Sequence, residues 1–175
     1  NLWPDHPLGR AILGTEESIS VFDHDMLKDY MQQYYTGSNI VVSVVGNISH
    51  EHVVEAVRAA LGGVPKGEKN QFPQAGTAEA GLHCYYKEIA QSQICVAMPG
   101  VAKEDDKLFP LSILNTYLGG GMSARLVKKI REDEGLAYSV YSYNGSYTDT
   151  GAFVISVGTR PDNCQRVIDI ILQEL

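Results

Sequence analysis

Between Gly119 and Tyr138 the chain reads GGGMSARLVKKIREDEGLAY, which places Arg131 and Tyr138 around a helix stop at Gly135. A guanidinium offers a fork of donors and a phenol offers one more, so the two together suit a carbonyl oxygen or a developing oxyanion. Neither residue is diagnostic alone. Arg131 has Glu132 and Glu134 beside it as partners on a solvated face, and Tyr138 at a strand start serves equally as a core or edge aromatic. The joint order of glycine turn, helix, arginine and G-L-A-Y is what sets the stretch apart. Gly119, Gly120 and Gly121 follow a helical pattern and fit neither G-x-G-x-x-G nor a Walker loop, so they are not a phosphate cradle. They predict either a plain helix stop with a tight turn or a turn that shapes a cleft, because glycine permits close approach of chain or ligand.

Metal chemistry has less to stand on. His52 opens an H-x-x-E pattern whose next position is Ala56, where a second histidine would be required. Ligands at i and i+4 share one helix face, so without that histidine the pattern reads as a polar helix entrance, as do His50 and Glu51. His6, His24 and His83 stand alone. No metal ligand is expected in this chain. Cys84, Cys95 and Cys164 form no C-x-x-C pair and are expected to be buried free thiols in a reducing compartment. That usage, with no charged-then-apolar leader, gives a cytoplasmic expectation. A net charge of −7 without a basic patch argues against a nucleic-acid partner. No apolar run approaches the roughly 20 residues of a membrane helix, so no membrane partner is expected.

The elements that must position these residues follow from periodicity and punctuation. Residues 1–20 are broken by Pro4, Pro7, Gly9 and Gly14 and read as irregular. Asp23 caps a predicted helix reaching about Tyr35, and NIVVSVV at 39–45 reads as a short buried strand. Ser49 caps a helix whose apolar face is Val53, Val54, Val57 and Leu61. Residues 64–80 lack periodicity and form the predicted boundary. Beyond it come strands at 82–87 and 93–98, a helix over 106–118 with Pro110 in its first turn, and a helix capped by Ser123 carrying Leu126, Val127 and Ile130. Residues 138–147 and 151–157 read as an antiparallel pair, and Pro161 opens a last helix with Val167, Ile168, Ile171, Leu172 and Leu175 inward. The class is α+β, antiparallel sheets with helices on one face.

The block GGGMSARLVKKIREDEGLAYSV resembles the C-terminal-half signature of the pitrilysin/insulinase zinc metallopeptidases, in their short processing-peptidase-like branch. HPLGRAILGTEESI, with the following helix and NIVVSVVGNISHEHV, resembles the segment just after that family's zinc site. The resemblance covers essentially the whole chain, with both blocks in the family's order. It implies two similar α+β halves closing as a clamshell around an extended peptide substrate. The first half would carry an H-x-x-E-H helix and a downstream Glu for zinc; the second would supply an Arg and a Tyr to the substrate, here Arg131 and Tyr138.

No H-x-x-E-H exists in these 175 residues. The resemblance therefore implies a fragment: 1–63 from the end of the first half, 64–80 the linker, and 81–175 from the second half. It would bind no catalytic zinc and be inactive alone, needing the missing parts of its polypeptide or a homologous subunit, and it would self-associate through exposed sheet surface. The parent would be a zinc metalloendopeptidase. Two alternatives come from other classes: a non-catalytic partner or scaffold subunit of the same fold, and a generic ligand-binding module with a small-molecule pocket near Gly119–Gly121.

Overall fold

A computed structural model describes residues 2–175. They fall into two compact units: the residues up to Gly9 together with Gln74–Leu175, and Arg10–Pro73.

In the smaller unit, side-chain caps set the helix starts. Thr15 and Ser18 exchange side-chain-to-amide bonds at 2.8 and 3.2 Å, a reciprocal box that opens α1 (Glu16–Ser20) inside the stretch read as irregular. Asp23 accepts from the Met26 amide at 2.8 Å to start α2 (His24–Tyr34), and Ser49 from the His52 amide at 3.3 Å to start α3 (His50–Leu61), both as the sequence predicts. Gly37–Asn39 form a single 3₁₀ turn, tied to the 65–70 stretch through the Gly37 and Ser38 amides and the Asn39 side chain.

The strand expected at 39–45 is not formed. Its residues join no ladder, and Val41 and Val45 are 93% and 97% exposed. β-Branched residues favour extended backbone, but a strand exists only by pairing, and no partner strand occurs among the described residues of this unit.

The larger unit is built on a three-stranded antiparallel sheet in the order β1 (Ser92–Pro99), β3 (Gly151–Thr159), β2 (Ala137–Ser146). β2 and β3 form the expected hairpin, closed by the Tyr147 amide on the Thr150 carbonyl at 2.8 Å. Alternation along β1 turns Ile94, Val96 and Met98 to one face, where Val140, Phe153, Ile155 and Val157 join them. The same core takes Leu118 from α4 (Leu108–Leu118), Leu126 and Val127 from α5 (Arg125–Val127), and Val167, Ile170 and Ile171 from α6 (Cys164–Glu174). The helices thus pack on one face, the predicted α+β arrangement. On the opposite face Trp3 and Ala75 pack against Ala152 and Val154.

Four local expectations in this unit are corrected. Residues 82–87 are not a strand; Leu82, Tyr85 and Tyr86 are exposed and the backbone joins no ladder. Ser123 does not cap α5: Ala124 holds that position, without a side-chain bond. In α6, Leu172 and Leu175 are exposed while Ile170 is buried, because the inward stripe is the i, i+3, i+4 set of Val167, Ile170 and Ile171. The thiols are not buried: Cys84 and Cys95 are exposed and Cys164 is half-buried. For Cys95 the cause is the pleat, which puts it opposite Ser156 on the face away from the helices. Pro110 lies in the first turn of α4, where it costs little. No helix among the described residues is long and apolar enough to cross a membrane.

Candidate functional site

The glycine turn is fastened to the edge of β2. The Asn115 carbonyl accepts from both the Gly119 and Gly120 amides, at 3.0 and 2.8 Å, which closes α4. The Gly119 carbonyl then takes the outward amide of Ser142 on β2 at 3.0 Å, and Ser142 Oγ donates to Asn115 Oδ1 at 2.7 Å. This close approach is what requires glycine. A Cβ on Gly119 would stand 2.7 Å from Ser142 N and Oγ, and one on Gly120 would stand 2.9 Å from Thr116 Cα; one on Gly121 would meet nothing within 4 Å. Gly119→Ala is therefore expected to lower stability by about 1–3 kcal/mol in urea unfolding. Gly121→Ala should stay within about 0.5 kcal/mol. Equal effects would show that packing against Ser142 is not what glycine serves here.

Two backbone irregularities aim Arg131 and Tyr138. After α5 the helix widens into a π-helical turn, Lys128–Asp133, with the Glu134 amide on the Lys129 carbonyl at 3.2 Å. Such turns re-space side chains relative to an α-helix and recur at functional sites. Ile130, on this turn, is fully buried, and Arg131 after it is half-buried. Gly135 then adopts φ +61°, a left-handed stop that other residues take at a cost. On β2, Ala137 pairs with Thr159 and Ser139 with Gly158, so Tyr138 is the extra residue of a β-bulge. Bulges turn a side chain out of the regular pleat; Tyr138 is 78% exposed.

These irregularities bring the two sequence-predicted residues together. The Arg131 guanidinium carbon lies 4.4 Å from the centre of the Tyr138 ring, a cation–π stack. Arg131 Nη1 also approaches Met122 Sδ at 3.7 Å. No ion pair involving Arg131 occurs among the described residues. The alternative partner Glu134 is engaged by Arg166 through two bonds, 2.9 and 2.6 Å, which hold its carboxyl below the usual carboxylate range. A guanidinium stacked on an aromatic and not neutralised keeps its outward donors for a ligand.

Met122 joins this cluster with no sequence signal beyond its position directly after the third glycine. Among the described residues no group of three or more His, Cys, Asp or Glu could hold a metal ion. His50 and His52 sit on the first turn of α3 in the smaller unit.

A family model described as "Peptidase M16 inactive domain" matches residues 22–175. An uncharacterized zinc protease of Bacillus subtilis is 38% identical over 98% of this chain and 42% of its own length, and one of Streptomyces coelicolor 36% identical over 99% and 40%. The chain thus spans about two fifths of the length of these curated relatives. Among solved structures, the peptidase M16 inactive domain from Pseudomonas fluorescens superposes with a TM-score of 0.88 at 25% identity, covering 99% of this chain and 42% of that one. A protease from Helicobacter pylori, at 18% identity and a TM-score of 0.72, covers 92% and 41% and shares the fold.

Proposed function

The chain belongs to the peptidase M16 family, and from that membership we propose that it supplies the substrate grip of a zinc-dependent metalloendopeptidase acting on extended peptides. The observation that carries the reading is the Arg131–Tyr138 stack, in which a π-helical turn and a β-bulge, each an exception to its element, converge on one pair. Backbone irregularity has a cost, and it persists where geometry is useful.

The residues described here do not fit a zinc site, so the metal of this proposal belongs to the rest of the longer protein or to a homologous subunit. When bound there, zinc polarises the scissile carbonyl and its bound water. The chain's own part is separate. The Arg131 guanidinium and Tyr138 hydroxyl donate to a substrate carbonyl oxygen and hold the peptide extended, and both bonds strengthen as that oxygen gains negative charge.

The test is peptide binding by the metal-stripped parent protein, measured by calorimetry with an extended model peptide. Arg131→Ala is expected to weaken binding by about 10- to 100-fold, the value of a charge-assisted hydrogen bond. Unchanged affinity would remove Arg131 from the grip.

The same reading carries self-association of this chain by itself. In the smaller unit, the unpaired run at 40–45 presents open backbone groups and exposed valines, a template for pairing with another copy. Light scattering is expected to show mass rising with concentration; a monodisperse monomer throughout would contradict it.

A further inference from the structure

A buried hydroxyl is bonded to the connection between Arg131 and Tyr138. Thr159, the last residue of β3, is 2% exposed, and its Oγ1 donates to the Leu136 carbonyl at 2.6 Å. Asn163 Nδ2 approaches the same oxygen only at 3.5 Å. Leu136 lies in the connection between the left-handed Gly135 and Ala137, where β2 begins. Its amide donates in the other direction, to the Ile130 carbonyl at 2.8 Å. One residue therefore bridges both halves of the pair: its amide is tied to the residue preceding Arg131, and its carbonyl to the strand opposite the Tyr138 bulge.

Thr159 is also the ladder partner of Ala137, on one side of that bulge, with Gly158 opposite Ser139 on the other. Thr159 thus pins two consecutive residues, by a side-chain bond to Leu136 and by backbone pairing to Ala137, and Tyr138 is the first residue left outside the ladder. We infer that Thr159 is a positioning residue: its hydroxyl holds the Leu136 carbonyl, and thereby sets how Arg131 and Tyr138 stack and where their donors point. The consequence for turnover rests on the proposed peptide grip; the consequence for the stack does not.

Without the hydroxyl, the Leu136 carbonyl keeps only the long Asn163 contact. A half-buried carbonyl short of a donor shifts to find one, and the connection carrying it shifts too. Misplacement by about 1 Å at a reacting group costs on the order of 100-fold in rate. Thr159→Val keeps the shape and deletes the bond; Thr159→Ser keeps the bond and deletes a methyl.

The first readout uses this chain labelled with ¹⁵N, following the ring-current shift of the Arg131 side chain, assigned by its loss in Tyr138→Leu. The shift is expected to collapse in Thr159→Val and survive in Thr159→Ser, with both variants folded by circular dichroism. Thr159→Ala makes the same deletion should the valine variant not fold. A shift retained without the hydroxyl overturns the inference. The second readout is kcat/KM of the parent protein, expected to fall on the order of 10- to 100-fold in Thr159→Val, mainly through kcat, and to recover in Thr159→Ser. Equal losses in valine and serine variants overturn a role for the hydroxyl. A collapsed shift with unchanged turnover leaves the placement standing and overturns the peptide grip.

Discussion

On the proposed peptide grip, Tyr138→Phe or Arg131→Ala, made in the parent protein, is expected to reduce turnover by about 100- to 1,000-fold, the usual effect of losing one donor to a developing oxyanion. Zinc content should not change, because neither side chain belongs to a metal-ligating cluster. The two substitutions test different things. Tyr138→Phe deletes the hydroxyl and keeps the ring under the guanidinium, so the stack at 4.4 Å survives and only a donor is lost. Arg131→Ala removes donors, charge and stack together. If both residues act mainly on the transition state, kcat falls more than KM rises; a loss confined to KM would make them ground-state contacts only. Steady-state kinetics with metal analysis on the same preparations decides the matter. A wild-type rate in either variant would dismiss that residue.

Ile130→Ala is expected to cost about 2–5 kcal/mol of stability, measured by urea unfolding. Ile130 is fully buried in the main core, and it is the inward anchor of the π-helical turn that also carries Arg131. Its backbone carbonyl would still accept the Leu136 amide, so the loss reports packing and not the turn's hydrogen bonds. A cost below about 1 kcal/mol would mean that the turn is held by its neighbours and not by this side chain.

What could be read from sequence followed from local signals. Asp23 and Ser49 announced helix starts because a cap needs only neighbouring amides. The β2–β3 hairpin was legible because its turn and both strands are contiguous. Residues 39–45 and 82–87 were read as strands on composition and formed none, because pairing is a property of the partner and not of the segment. Cys95 was placed inside on residue type, whereas the register of β1 against β3 decides which face it takes.

At the site, the sequence groups Arg131 and Tyr138 with the glycines, and the structure stacks Arg131 on Tyr138. How they are aimed was hidden. Residues LVKKIRED carry an ordinary helical pattern, and nothing in them marks a π-helical turn. The bulge at Tyr138 exists only relative to Thr159 and Gly158 on another strand. Ser142, which closes the glycine turn, and Thr159 are unremarkable hydroxyl residues until the tertiary fold gives each a carbonyl or amide to meet.

The strand order β1-β3-β2 has a bearing on biosynthesis. Among the described residues strand β1 pairs with β3 alone, and the chain between them includes α4, α5 and all of β2. A polypeptide emerging from the ribosome therefore exposes SQICVAMP well before its mate is translated, whereas β2 finds β3 within one hairpin. Nascent chains stalled ahead of Gly151 would carry an orphaned apolar ribbon, the natural target for a chaperone. Release past Thr159 would let these three strands close around β3, the central one.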